Sequence, residues 1–163
     1  MGFFEKLFSK KTESNKEILT EAKKEIINGD IDQLVSKAIM SGNPEDLTDL
    51  WRVTLNLKQW HFITKHKDDI NERTPFIGVI DDKPWIFLFT DRQKAQKYCT
   101  TQGNDGFTDE NGSVFIISID TEKAIQYILK MHEQGVFGMR INEGNGWFSP
   151  IENLNAIIDF VNK

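Results

Sequence analysis

Apolar residues change their spacing along the chain near residue 59, and this change predicts two segments of different structure. Before it, apolar residues recur every three or four positions, which is the spacing of one face of a helix. After it, short continuous apolar runs alternate with helical patterns, as in a sheet covered by helices. The stretch 75–91, PFIGVIDDKPWIFLFTD, is central to the second segment, because its two apolar runs flank a polar turn and predict a hairpin.

The segment 13–58 is predicted to be helical, with three helices joined by short connections. The first covers 14–28 and ends at Gly29, since glycine favours the position after a helix. The second follows and ends at Gly42, and the third begins at Pro44, because proline suits the first position of a helix. The second helix carries an apolar stripe that consists of Ile31, Leu34, Val35, Ala38 and Ile39.

The segment 59–163 is predicted to be a mixed α/β domain, equally describable as α+β. The expected fold is a mixed sheet of about five strands with flanking helices, preceded by the N-terminal helical segment. Two helix starts resemble capping boxes, one at Thr90 with Gln93 and one at Ser149 with Glu152. The predicted strands are 59–64, 76–80, 85–89, 113–119 and 137–142, with a short one at 147–148.

Composition and charge narrow the classes of function. A chain of 163 residues with a net charge of -5 and no basic half lacks the footprint of a nucleic-acid-binding protein. Its single cysteine, Cys99, excludes an internal disulfide and a multi-cysteine metal site. There is no apolar run of about 18 residues and no secretory signal pattern. We therefore expect a cytoplasmic protein that binds no nucleic acid.

The first twelve residues form an amphipathic tail. As a helix they would place aromatic and aliphatic side chains on one face beside lysines, a pattern typical of segments that contact an anionic membrane surface or a partner groove. The alternative is a frayed terminus that is disordered or packs its phenylalanines on the body of the protein, and both interpretations stay open. The residues concerned are Phe3, Phe4, Leu7, Phe8, Lys10 and Lys11.

No side-chain pattern predicts a catalytic centre, a metal site or a cofactor. The acidic loop at 105–111 lacks the ligand spacing of an EF-hand. The three histidines, His61, His66 and His132, have no helical i, i+4 pairing, and we expect each to be structural. Cys99 has no CxxC partner and is expected to be buried packing, although a pair with His61 or His132 stays open. The expectation is a protein without enzymatic activity.

Exposed aromatic residues are the best signal for a binding surface. Trp147 and Phe148 follow a glycine-rich turn and precede a proline, and Arg140 and Asn142 lie just before that turn. Aromatic and arginine side chains of this kind are common anchors of protein interfaces. We therefore predict a partner-binding surface at Arg140, Asn142, Trp147 and Phe148. The alternative for Trp147 is that it covers the core.

Three stretches resemble the SseB N-terminal domain family, which is named for enhanced serine sensitivity. They are PWIFLFTDRQKAQKY, SVFIISIDTEKAIQYIL and GMRINEGNGWFSPIENL, and the resemblance covers roughly residues 59–162. It rests on the strand end at Phe89 and Thr90 and on a glycine-led strand that ends at Asn142; the family has proline next, where this chain has Glu143. The family has no established reaction, so the resemblance implies a binding or regulatory module.

The prediction is therefore a non-enzymatic module that binds an unidentified protein and belongs to the SseB-like kind. One alternative is a peripheral protein that contacts membranes weakly through its tail, which flotation with anionic liposomes would detect. Another is a small enzyme with an unrecognised site, which would need convergent polar groups in a single cleft.

Overall fold

The structure is a computed structural model that describes residues 31–102 and 105–163. The predicted tail at 1–12 and the predicted helix at 14–28 lie outside the described residues. Within these ranges the helices are α1 (31–41), α2 (Pro44–Leu55), α3 (Arg92–Thr101), α4 (Thr121–Glu133) and α5 (Leu154–Val161). The strands are β1 (Gln59–Ile63), β2 (Ile77–Ile80), β3 (Lys83–Phe89), β4 (Ile116–Asp120), β5 (Gly138–Ile141) and β6 (Trp147–Pro150).

The strands form a mixed sheet in the order β4-β1-β3-β5-β6, with β2 also paired to β3. The pair β3 and β5 is parallel and the others are antiparallel. The predicted α+β class with a mixed sheet and flanking helices is confirmed, with six strands rather than about five. The predicted hairpin is the β2–β3 pair, whose turn residues Asp81 and Asp82 have φ of 51° and 58°, as a type I′ turn requires.

Helices cover the two faces of the sheet unequally. On the first, called here the α4 face, the side chains pack against residues of α2, α4, α5 and the 3₁₀ helix Ile151–Asn153. On the second, the α3 face, α3 packs against β1, β3 and β4 through Ala95 and Cys99. The buried strand residues of the α4 face are Trp60, Phe62, Ile86, Leu88, Met139 and Ile141, and those of the α3 face are Ile63, Trp85, Phe87, Phe89 and Ile116.

Both predicted capping boxes are wrong. The residue that caps α3 is Asp91, whose carboxylate accepts from the backbone N–H of Gln93 at 2.6 Å. Thr90 instead hydrogen-bonds to Asn142, far away in the sequence. Ser149 lies in β6 and does not begin a helix, because that segment pairs with β5 before the chain enters the 3₁₀ helix.

One strand boundary and the burial of one helix residue differ from the prediction for local reasons. Strand β4 begins at Ile116 rather than at 113, because the N–H of Ser113 is bonded to the carboxylate of Asp109 in the preceding turn. In α1, Ile31 and Val35 are buried as predicted, but Ile39 is exposed. It lies in the last turn of the helix, beyond the part that packs on α2.

Candidate functional site

An aromatic and cationic surface lies where α3 leaves the sheet uncovered. Arg140 of β5 and Phe148 of β6 are directly opposite in the antiparallel register, so both side chains lie on the α3 face. The guanidinium carbon of Arg140 lies 5.2 Å from the centre of the Phe148 ring. Phe148 is 61% exposed. This β5–β6 surface consists of Lys83, Trp85, Phe137, Arg140 and Phe148.

Trp85 is the buried support of the β5–β6 surface. Its ring meets Phe137 and Phe148 edge to face, with centroid distances of 5.1 Å and 5.7 Å. The ring lies over Gly138, and a Cβ at that position would overlap it. The missing side chain of Gly138 therefore leaves the space that the Trp85 ring occupies next to Phe148.

A bidentate ion pair fixes the position of the Arg140 guanidinium. Its Nε and Nη2 donate to the two carboxylate oxygens of Glu143 at 2.6 Å and 2.8 Å. These hydrogen bonds raise the pKa of Arg140 above its ordinary value, so the group stays charged. The side chains of Arg140 and Glu143 are both only partly exposed.

The four residues predicted from the sequence do not form one surface. Arg140 and Phe148 are in contact. Trp147 lies on the opposite, α4 face of the sheet, where its ring meets that of Trp51 edge to face with a centroid distance of 6.1 Å. The indole N–H of Trp147 is buried without a hydrogen-bond partner among the described residues. Asn142 is buried and bonded to Thr90. Trp147 and Asn142 therefore support the fold around the β5–β6 surface and do not lie in it.

A crevice opens beside this surface, at the carboxyl ends of the parallel strands β3 and β5. The chain leaves β3 into α3, which crosses toward β1 and β4, and leaves β5 into a turn toward β6. Connections that diverge in this way leave a crevice between the strand ends, the usual place for ligands in open α/β sheets. Its volume is about 340 Å³. The lining comes mainly from Phe89, Lys94, Lys97, Tyr98, Thr101 and the turn 142–145.

Asn142 holds the two strand ends at a fixed separation. Its side-chain oxygen accepts from the backbone N–H of Thr90 at 2.9 Å, and its Nδ2 donates to the Thr90 hydroxyl at 2.9 Å. Its backbone is left-handed, with φ of 53°. Asparagine tolerates this conformation better than most residues, and such outliers cluster at functional sites.

Charges in and beside the crevice are mostly paired. Lys94 bonds to Asp32 at 2.7 Å, and Glu143 is held by Arg140. Of the two lysines in the lining, Lys97 forms no ion pair with a described carboxylate. Burial raises the pKa of the neighbouring Tyr98, which keeps its hydroxyl protonated at neutral pH.

The other residues considered for chemistry have structural partners. The Nδ1 of His61 lies 2.7 Å from the Ser118 hydroxyl, and the Nδ1 of His132 lies 2.9 Å from the carbonyl of Val136. Cys99 is buried as predicted, and burial raises its pKa to about 11. Its thiol therefore stays protonated at neutral pH and is a poor nucleophile.

No group of three His, Cys, Asp or Glu side chains in 31–102 or 105–163 lies close enough to hold a metal ion. None of the helices in these ranges is long and apolar enough to cross a bilayer.

Sequence reasoning did not select Trp85, Lys97 and Tyr98 as site residues. The pattern shows Trp85 only as a strand residue, and its place under Phe148 depends on the register of three strands. Lys97 and Tyr98 follow each other on α3, but their approach to the turn 142–145 is non-local. A glycine in the strand opposite Trp85, Gly138, is the one sequence feature that signals the close approach.

Comparison with known proteins identifies no family for this chain. No family model matches the chain, and no curated protein matches it. Among solved structures the chain is similar to Tic22 from Plasmodium falciparum, with 18% identity and a TM-score of 0.36 over 55% of this chain. The matched part spans 44% of that chain, less than half its length. A likeness this weak carries no argument about fold or function.

Proposed function

We propose that this protein is a non-enzymatic interaction or regulatory module of the SseB N-terminal kind, and that it binds a protein partner through the β5–β6 surface. The observation that carries the proposal is Phe148, a large apolar side chain that is 61% exposed at the centre of an aromatic and cationic group. Exposed aromatics on an ordered support are typical anchors of protein interfaces.

The support beneath Phe148 favours binding because little freedom is lost on contact. Its ring already touches Trp85 edge to face and lies beside the Arg140 guanidinium, and Glu143 fixes that guanidinium with two hydrogen bonds. Side chains ordered before binding lower the entropic cost of association, which is about 0.5–1.5 kcal/mol for each mobile side chain.

The chemistry of the surface indicates what the partner presents. Lys83 lies with its Nζ 4.1 Å from the centre of the Phe137 ring, and the Arg140 guanidinium carbon lies 5.7 Å from the Trp85 ring centre and 5.2 Å from that of Phe148. Both cations border an apolar centre. A complementary partner therefore has an apolar pocket for Phe148 and a carboxylate that approaches Lys83, because Arg140 is already paired with Glu143.

The chain offers a matched control for the test of this proposal. Phe160 of α5 is 63% exposed, almost as much as Phe148, but lies outside the β5–β6 surface. We would capture partners from a lysate of the source organism with the full wild-type chain, Phe148→Ala and Phe160→Ala, and quantify them by mass spectrometry. The proposal predicts a protein captured by wild type and Phe160→Ala and lost with Phe148→Ala.

Two results would count against the proposal. If all three proteins capture the same set, Phe148 anchors nothing. If both substitutions lose the same partner, exposed phenylalanines bind nonspecifically and the surface has no special role. Circular dichroism of each variant checks that it is folded.

The membrane alternative rests on the sequence of the tail alone. Flotation of the full chain with anionic vesicles, compared with Phe3→Ser/Phe4→Ser, tests it, because loss of apolar side chains removes interfacial binding. We propose a cytoplasmic location, which cell fractionation would check. Turnover of any substrate by the purified chain would overturn the non-enzymatic part of the proposal.

A further inference from the structure

We infer that the crevice at the carboxyl ends of β3 and β5 is a binding site for a small organic anion that carries a carboxylate or a phosphate group. The site is separate from the β5–β6 surface and does not depend on the protein partner proposed above. It uses the side of α3 that faces the turn 142–145.

The shape of the crevice fits a small molecule. Its volume of about 340 Å³ falls at the small end of the range for ligand pockets, which is about 300–1,000 Å³. Phe89 lies at its base and Tyr98 packs against Phe89 with a centroid distance of 5.5 Å, so one wall is aromatic. The opposite wall is the polar turn 142–145.

The shape is fixed before any ligand arrives. Asn142 bonds to Thr90 with both ends of its amide, which ties the end of β5 to the end of β3. The adjacent Glu143 is held by Arg140. A ligand therefore meets an ordered cavity and does not have to order a loop.

One lysine of the crevice lining is left to pair with an anion. The carboxylates of Asp32 and Glu143 already accept from Lys94 and Arg140, so neither is free to attract a cation. Lys97 is exposed on the rim and has no carboxylate partner among the described residues. A ligand carboxylate or phosphate would pair with Lys97.

Two neutral polar groups complete the site. The hydroxyl of Tyr98 and the side-chain amide of Asn145 line the crevice and make no hydrogen bond with another described residue. The hydroxyl remains protonated at neutral pH and can donate to an anion. These donors favour a ligand with oxygen acceptors over an apolar one.

Amide chemical shifts of the ¹⁵N-labelled full chain test this inference. We would titrate inorganic phosphate, glycerol 3-phosphate and succinate separately at constant ionic strength, with tetramethylammonium as the cationic control. The expected result is a saturable shift of amides in α3 and in 142–146 with at least one anion and none with the cation. The phosphate and succinate arms tell which anionic group the site takes.

Matched lysine variants locate the charge that matters. Lys97→Gln should lower the affinity for the anion that binds at least about tenfold, because a charge-assisted hydrogen bond is lost. Lys123→Gln removes another exposed helical lysine, on α4, which covers the other face of the sheet, and should leave the affinity within about twofold. Tyr98→Phe keeps the aromatic wall and should weaken binding several-fold through loss of the hydroxyl alone.

Three outcomes would overturn the inference. One is the absence of a saturable shift in α3 and 142–146 with all three anions. Another is equal weakening by Lys97→Gln and Lys123→Gln, which would show diffuse attraction to a surface. The last is a shift pattern centred on other elements. The spectra themselves show whether each variant is folded.

Discussion

Replacing Asn142 by alanine removes the side chain that joins the ends of β3 and β5. In the wild-type protein, its oxygen accepts from the backbone N–H of Thr90 at 2.9 Å and its Nδ2 donates to the Thr90 hydroxyl at 2.9 Å. Both residues are buried, so removal of the Asn142 side chain leaves the Thr90 N–H and hydroxyl without these partners at a site shielded from solvent.

The expected loss of stability has two parts. A buried N–H without a partner costs about 1–3 kcal/mol, and the lost contact with the Thr90 hydroxyl lies within that range. Alanine at φ of 53° adds a backbone cost of about 1 kcal/mol that asparagine largely avoids. Asn142→Ala should therefore lower the free energy of unfolding by about 3 kcal/mol.

Urea unfolding followed by circular dichroism measures this loss. At a denaturant slope of about 2 kcal/mol per molar urea, the midpoint should fall by roughly 1.5 M. Asn142→Gly should be less destabilising by about 1 kcal/mol, since glycine accepts the left-handed backbone. Asn145→Ala, in the same turn but exposed, should change stability by under about 0.5 kcal/mol. Equal midpoints for Asn142→Ala and Asn145→Ala would refute the reasoning.

Three further predictions concern single residues. Native Cys99 should react with a thiol reagent at least about 100-fold more slowly than in urea at the same pH, because burial raises its pKa from 9.0 to about 11; a native rate near the unfolded rate would contradict its burial. The N–H groups of Ser113 and Asn111 lower the pKa of Asp109, so its stabilising effect is complete above the pKa of the unfolded carboxyl and is lost as pH falls through the lower folded pKa. Urea midpoints between about pH 2 and 5 should therefore fall more steeply for wild type than for Asp109→Asn, and identical slopes would contradict this. Gly138→Ala should destabilise the protein by about 1–3 kcal/mol and change the near-ultraviolet dichroism, because the added methyl group displaces the Trp85 ring; an unchanged spectrum and midpoint would show that the ring is free to move.

Local patterns in the sequence predicted the elements that depend on local physics. The β2–β3 hairpin follows from two apolar runs around Asp81 and Asp82, which accept the backbone of a tight turn. The helix at 44–55 follows from proline at its first position and from its apolar face. These features need no knowledge of distant residues, and the structure confirms them.

Non-local contacts explain what the sequence could not predict. The spacing of Thr90 to Gln93 predicts that Thr90 caps α3. In the structure Thr90 hydrogen-bonds to Asn142, 52 positions away, and Asp91 caps the helix. Trp147 and Phe148 are adjacent in a strand and so lie on opposite faces, but only the register with β5 shows which face each one occupies. The crevice depends on the packing of α3 against the sheet, which no local spacing encodes.

Affinity for a purified partner would test the proposed function most directly. Titration calorimetry would compare the captured protein's binding to wild type, Phe148→Ala and Phe160→Ala, with the full chain in each case. We predict that Phe148→Ala loses about 2 kcal/mol or more, roughly 30-fold in affinity, while Phe160→Ala stays within about twofold. Equal affinities of all three proteins would contradict the claim that the β5–β6 surface binds the partner.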